Sequence, residues 1–223
     1  MSKKVFLSPS NQYDNVYAYG NTTEGVQCGK IADACKIALE RSGVDVMLMH
    51  DESMQTKCAE SNKFDADLHV PIHTNAFNGK VMGTRMFCYN TGKGMAACKA
   101  IFARVAPLSP GTSENIQVNQ KLYEVRVPAA PTAYIECEFH DTVEGAKWIV
   151  ENAELIGETI AHGICDYFGI SFKEKEQPKP AEPATTDTLY RVQVGAFAVR
   201  ENAEKMLARL KAAGFEGFIR EGK

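Results

Sequence analysis

The strongest constraint in this sequence is an alternation between Val5 and Tyr167, where short apolar runs trade places with longer stretches carrying apolar residues at helical spacing. Val5-Phe6-Leu7 is stopped by Ser8-Pro9-Ser10-Asn11 and reads as a strand delivering a loop. From Glu24 to Ser42, residues Val26, Ile31, Ala34, Ile37, Ala38 and Leu39 recur at helical spacing, with Thr22-Thr23 offering caps and Gly43 ending the run. Strand character returns at Val44–Met49, helix at Ser53–Phe64 and strand at Leu68–Thr74. Further on, Gly83–Tyr89 reads as strand, Gly94–Val105 as helix, Ala133–Phe139 as a buried strand and Val143–Tyr167 as helix. Parallel strands need such crossovers, so the pattern predicts an α/β domain with a largely parallel central sheet flanked by helices. The stretch from Ala106 to Val127 has no period that assigns it.

The pattern breaks after Phe172. Residues 173–188 hold three prolines, many charges and nothing large and apolar, the composition of a semi-extended linker. Beyond it, Tyr190–Phe197 alternates like a strand, Arg200–Ala213 carries Ala203, Met206, Leu207 and Leu210 on one helical face, and Phe215–Arg220 reads as a second strand. The expected organisation is a body at 1–172, a linker at 173–188 and a β-α-β piece at 189–223, the last too short to bury much core alone.

Composition narrows the classes of function. Lys and Arg number 25 against 28 Asp and Glu, a net charge of −3, so a broad basic surface for nucleic acid is not expected. No apolar run is long enough to span a membrane, and Met1–Leu7 reaches Ser8-Pro9 after three apolar residues, unlike a signal peptide; synthesis in the cytoplasm is the expectation. Seven cysteines (Cys28, Cys35, Cys58, Cys88, Cys98, Cys137 and Cys165) show no CxxC spacing and read as buried thiols.

Three segments can carry chemistry. Asp67–Ala76 ends a strand by presenting His73 and Asn75, with His69 on the same face as His73 by the two-residue period. Thr132–Phe139 sets Glu136 and Glu138 in an apolar strand, where a carboxylate is costly unless paired, metal-bound or functional. Glu24 opens the first predicted helix, by itself only a favourable place for an acid. In an α/β fold all three can converge at one sheet edge.

Together, Val5–Pro9, Glu24 before Ile31-Ala32, Asp67–Ala76 and Pro131–Glu136 with Phe139 resemble the zinc-dependent N-acetylmuramoyl-L-alanine amidases of the amidase-3 type, over residues 4–170. The resemblance implies a peptidoglycan hydrolase that cuts the amide between N-acetylmuramic acid and L-alanine with metal-activated water. It makes Glu24 and His73 ligands of one zinc ion, Glu136 the catalytic carboxylate and Asn75 a substrate contact, with His69, Glu138 and His140 in support. Where the family has Pro-Gly-His, this chain reads Pro9-Ser10-Asn11-Gln12. A similar branch of the family points to the amide oxygen of Gln12 as the remaining ligand, with Asn11 or a water as alternatives. A catalytically weak or inactive peptidoglycan-binding protein on the same fold is the competing expectation.

Tyr190–Phe197 with Glu201–Glu204 and Leu210–Phe215 resembles the first half of a SPOR module, a type that looks like a binder of glycan strands. Pairing of two such halves in a homodimer through residues 189–223 would complete the sheet. With no signal peptide, the resemblance implies access to the wall after lysis, by holin-type release or mother-cell breakdown, as for a phage endolysin or a sporulation lysin.

Overall fold

The computed structural model describes residues 2–175 and 193–221, which fall into two separate units. In the first, β1 (Lys4–Pro9), β2 (Asp45–Leu48), β3 (Leu68–Asn75), β4 (Arg85–Cys88), β5 (Asn115–Val118) and β6 (Tyr134–Phe139) form one sheet in the order β2-β1-β3-β6-β4-β5. Every neighbouring pair is parallel except β4 with β6. The largely parallel α/β architecture is therefore present, with one antiparallel join toward the β5 edge.

Alternation along the strands divides the sheet's faces. Val5, Leu7, Leu68, Val70, Ile72, Ile135 and Cys137 belong to the main core with residues of α1 (Glu24–Arg41), α3 (Lys93–Val105) and α5 (Val143–Phe168). The alternate residues, Phe6, Ser8, His69, His73, Tyr134 and Glu136, turn to the face that carries α2 (Met54–Phe64) and the single turn α4 (Tyr123–Arg126). The hydrophobic face thus anchors the sheet, while the polar face holds chemistry.

Helix α5 packs against both α1 and α3, and two glycines let it approach closely. A Cβ on Gly157 would stand 2.3 Å from Ile31 O, and one on Gly163 would stand 2.5 Å from Ile101 Cα. Local signals set the ends of the helices: Ser53 caps α2 by accepting from Thr56 N–H at 3.1 Å, and Thr142 caps α5 by accepting from Gly145 N–H at 3.0 Å. Gly169 closes α5 with φ +68, the left-handed conformation that glycine enters without penalty. All seven cysteines are free and buried, as the spacing predicted.

The second unit contains α6 (Arg200–Ala212) and, among its described residues, no strand. The predicted helix is there, whereas residues 193–197 and 215–220 are unpaired, contrary to the strand expectation. A strand exists only by bonding to a neighbour, and an alternating pattern cannot supply one. Most of residues 173–188 lie outside the described residues. No helix among the described residues is long and apolar enough to cross a membrane.

Candidate active site

The first turn of α1 and the ends of β3 and β6 meet at the C-terminal edge of the sheet, where open α/β sheets place their ligands. Glu24, 1% exposed, is the first residue of α1, where the helix dipole favours a carboxylate. Its Oε1 lies 3.0 Å from His73 Nδ1, and its Oε2 accepts from Asn15 Nδ2 at 2.8 Å. Gln12 donates through Nε2 to Glu24 Oε1 at 3.4 Å, while its own oxygen accepts from Asn15 at 2.9 Å. Asn11 points elsewhere, donating to Glu52 O at 3.0 Å. Of the two amides weighed for the remaining ligand, the fold brings Gln12 to the pair and leaves Asn11 out.

His73 is fixed on three sides. Its ring stacks on Tyr134 with centroids 4.7 Å apart, Glu24 faces Nδ1, and Glu124 Oε2 lies 3.8 Å from Nε2. Burial works against a charged imidazole, but Glu124 and Glu24 outweigh it and push the pKa up to about 9. The register pairs His73 with Glu136 across β3 and β6. Burial pushes the Glu136 carboxyl up to about 7, with His73 opposing and Glu24 reinforcing. Glu136 Oε2 is buried without a hydrogen-bond partner.

Past His73 the register slips: Asn75 pairs with Phe139, so β6 spends one residue more than β3 over the same span. Glu138 is absorbed there as support, accepting from Gly83 N–H at 2.6 Å, from Phe139 N–H at 2.7 Å and from the Ser109 hydroxyl. His140 stacks on Tyr17 with centroids 4.8 Å apart and meets Thr74 Oγ1 at 2.9 Å, bracing the end of β3. Asn75 sits at the strand end with Oδ1 accepting from Ala76 N–H at 2.8 Å.

Sequence reasoning missed Asn15 and Glu124. Glu124 is 3% exposed, accepts from the Ser8 hydroxyl and stands between His69 and His73. Its pKa is pulled down to about 2, because the two imidazoles and the hydroxyl overcome burial. The signal available was an acid inside Leu122-Tyr123-Glu124-Val125, an apolar setting like that of Glu136. A recess of about 490 Å³ walled by Lys3, Asp67, Lys93, Pro131 and Phe168 lies at the opposite ends of the strands and includes none of these site residues.

A divalent cation fits the Glu24–His73 pair. Their facing atoms are 3.0 Å apart, close to the roughly 3.3 Å between neighbouring ligands about 2.0 Å from one tetrahedral ion. The orphaned Glu136 oxygen beside them suits a water or substrate proton.

An α/β sheet edge that joins a carboxylate–imidazole pair to a carboxylate with an open oxygen has groups suited to activating water for hydrolysis. The profile of the N-acetylmuramoyl-L-alanine amidase family matches residues 12–166, and that of the SPOR domain matches residues 172–221. The chain belongs to the N-acetylmuramoyl-L-alanine amidase family, with a C-terminal SPOR module. It is similar to a sporulation-specific N-acetylmuramoyl-L-alanine amidase of Bacillus subtilis, 23% identical over 97% of this chain and 84% of the relative. Among solved structures it resembles the catalytic domain of CwlV, an N-acetylmuramoyl-L-alanine amidase from Bacillus (Paenibacillus) polymyxa var. colistinus, with TM-score 0.67 and 17% identity over 76% of this chain and 99% of the other. It also resembles Cwp6 from Clostridium difficile, with TM-score 0.64 and 22% identity over 75% of this chain, spanning 29% of that longer protein. The protein is a peptidoglycan amidase that cuts between N-acetylmuramic acid and L-alanine, and the binding-only alternative is not favoured.

Proposed function

We propose that the chain cleaves this amide with one zinc ion held by Glu24, His73 and Gln12, and with Glu136 carrying the proton. When bound, zinc supplies polarisation of the amide carbonyl and acidification of a water. Gln12 offers its oxygen to the site after a half-turn of its amide, which gives up the hydrogen bond that its oxygen accepts from Asn15 Nδ2. Tyr134 stacked on one side and the carboxylates at both nitrogens hold the His73 ring at a fixed angle. Glu136 accepts the water's proton at Oε2 and returns it to the departing alanine amine, base becoming acid. Asn75, at the rim, is placed to hold the substrate backbone. The observation that carries this reading is Glu136 itself, a carboxylate with an unpartnered buried oxygen and a pKa near neutrality beside His73.

The test is Glu136→Gln, assayed on peptidoglycan by counting newly exposed alanine amino groups. Turnover is expected to fall by about 10²–10⁴-fold while zinc content is retained. A rate within tenfold of the parent would remove Glu136 from the mechanism. Similarity to a sporulation-specific relative supports a role in wall breakdown at sporulation. The homodimer through residues 189–223 has no support, since the described part of that unit forms no strand edge for a second copy.

A further inference from the structure

Behind the Glu24–His73 pair lies another group of ligand-bearing side chains, of which the reaction uses only Glu124, as a brace for His73. Cys58 of α2, His69 of β3 and Glu124 of α4 are all buried, and one ligand atom from each lies within 4.8 Å of the others. His69 is fastened at Nδ1 by the Ser61 hydroxyl at 3.0 Å, and its ring stacks on Phe6 with centroids 5.2 Å apart. Its Nε2 is buried with no hydrogen-bond partner and faces Glu124 Oε1 at 3.5 Å. A histidine anchored through one nitrogen, with the other bare toward a carboxylate and a thiol in the same cluster, has the arrangement of a metal ligand with its outer support in place.

Thiolate and carboxylate together cancel the charge of a divalent ion. The mixed sulfur, nitrogen and oxygen set selects a zinc-class ion over magnesium or calcium. The buried neighbour Lys57 spends a proton on Pro9 O at 2.6 Å and feels the Glu124 charge, which opposes the effect of burial on its pKa.

We propose that Cys58, His69 and Glu124 form a second, structural site for a zinc-class divalent ion, separate from the catalytic pair and joined to it through Glu124. The ion would pin α2, β3 and α4 together and fix the carboxylate that faces His73 Nε2. This proposal does not depend on the catalytic zinc.

Cobalt(II) tests it, because thiolate ligation gives an intense near-ultraviolet charge-transfer band that nitrogen and oxygen ligands do not. The full chain, reduced and saturated with cobalt, is expected to hold two ions and show the band. Cys58→Ala and His69→Gln should each lose one ion and the band, with circular dichroism unchanged, whereas Glu24→Ala should lose one ion and keep the band. A parent chain without the band, or a band that survives Cys58→Ala, overturns the proposal. One ion without a band overturns it while leaving the catalytic site standing. One ion whose band survives Glu24→Ala supports it and overturns the catalytic zinc.

Discussion

The α/β unit and the C-terminal unit use similar apolar patterns to very different effect. In the first, Val5, Leu68, Ile135 and Ile160 are fully buried between sheet and helices. In the second, α6 buries none of its residues, and Phe215 and Phe218 are 64% and 77% exposed. Periodicity is the same kind of signal in both, but a pattern yields a core only when a partner surface exists to receive it. A helix satisfies its own backbone and survives alone; a strand cannot.

The contrast breaks most sharply under overpacking. Gly157→Val should cost on the order of 3 kcal/mol in urea unfolding, because its side chain meets α1 backbone, whereas Phe218→Ser should change the same transition by less than about 0.5 kcal/mol. Equal losses would show that the second unit shares the stability of the first. A smaller effect separates the site from the core within the first unit. The folded pKa of Glu136, about 7, lies above its ordinary 4.5, so the folded state holds this proton more tightly and loses stability as pH rises between those values. In the presence of chelator, Glu136→Gln should therefore be more stable than the parent at pH 8, on the order of 1–2 kcal/mol, and no more stable near pH 4. Equal melting temperatures at both values would argue that the carboxylate is not strained. The smallest effect belongs to Asp67, whose partial burial pushes its pKa up but whose contacts with Lys4 N–H at 2.9 Å and Lys3 Nζ at 3.1 Å win and hold it below normal. A depressed folded pKa stabilises above the unfolded value and fades as pH falls through the folded one. Asp67→Asn should lower the melting temperature slightly at neutral pH and not in strong acid; a loss that persists in acid would assign the effect to packing.

Most of the first unit was readable because its helices are long and its strands, even the four-residue β2 and β4, carry apolar side chains between clear turn signals. Glu136 was readable as a carboxylate in an apolar strand and His73 as a histidine at a strand end, whereas Glu24 at a helix start drew notice only through the resemblance; the fold brings the three together. Three things were not legible. β5 is four residues with two polar side chains at the sheet edge, too short to show a period. Glu124 rides on a four-residue turn in that same unassigned stretch, and only the tertiary fold reveals that it faces both histidines. The slip between β3 and β6 redirects Glu138 from the face that strict alternation gives it into the loop at Gly83.

The close contact at Gly157 has a reach beyond packing. It fixes α1 along its axis at Ile31, seven residues and roughly 10 Å from Glu24 at the rise of 1.5 Å per residue. Helix α1 is stiff over that length, so a bulkier side chain at Gly157 would slide the whole rod and carry the Glu24 carboxylate away from His73. The spacing of two atoms at the rim of the sheet is thus gauged by an absent methyl group on a helix that never touches them.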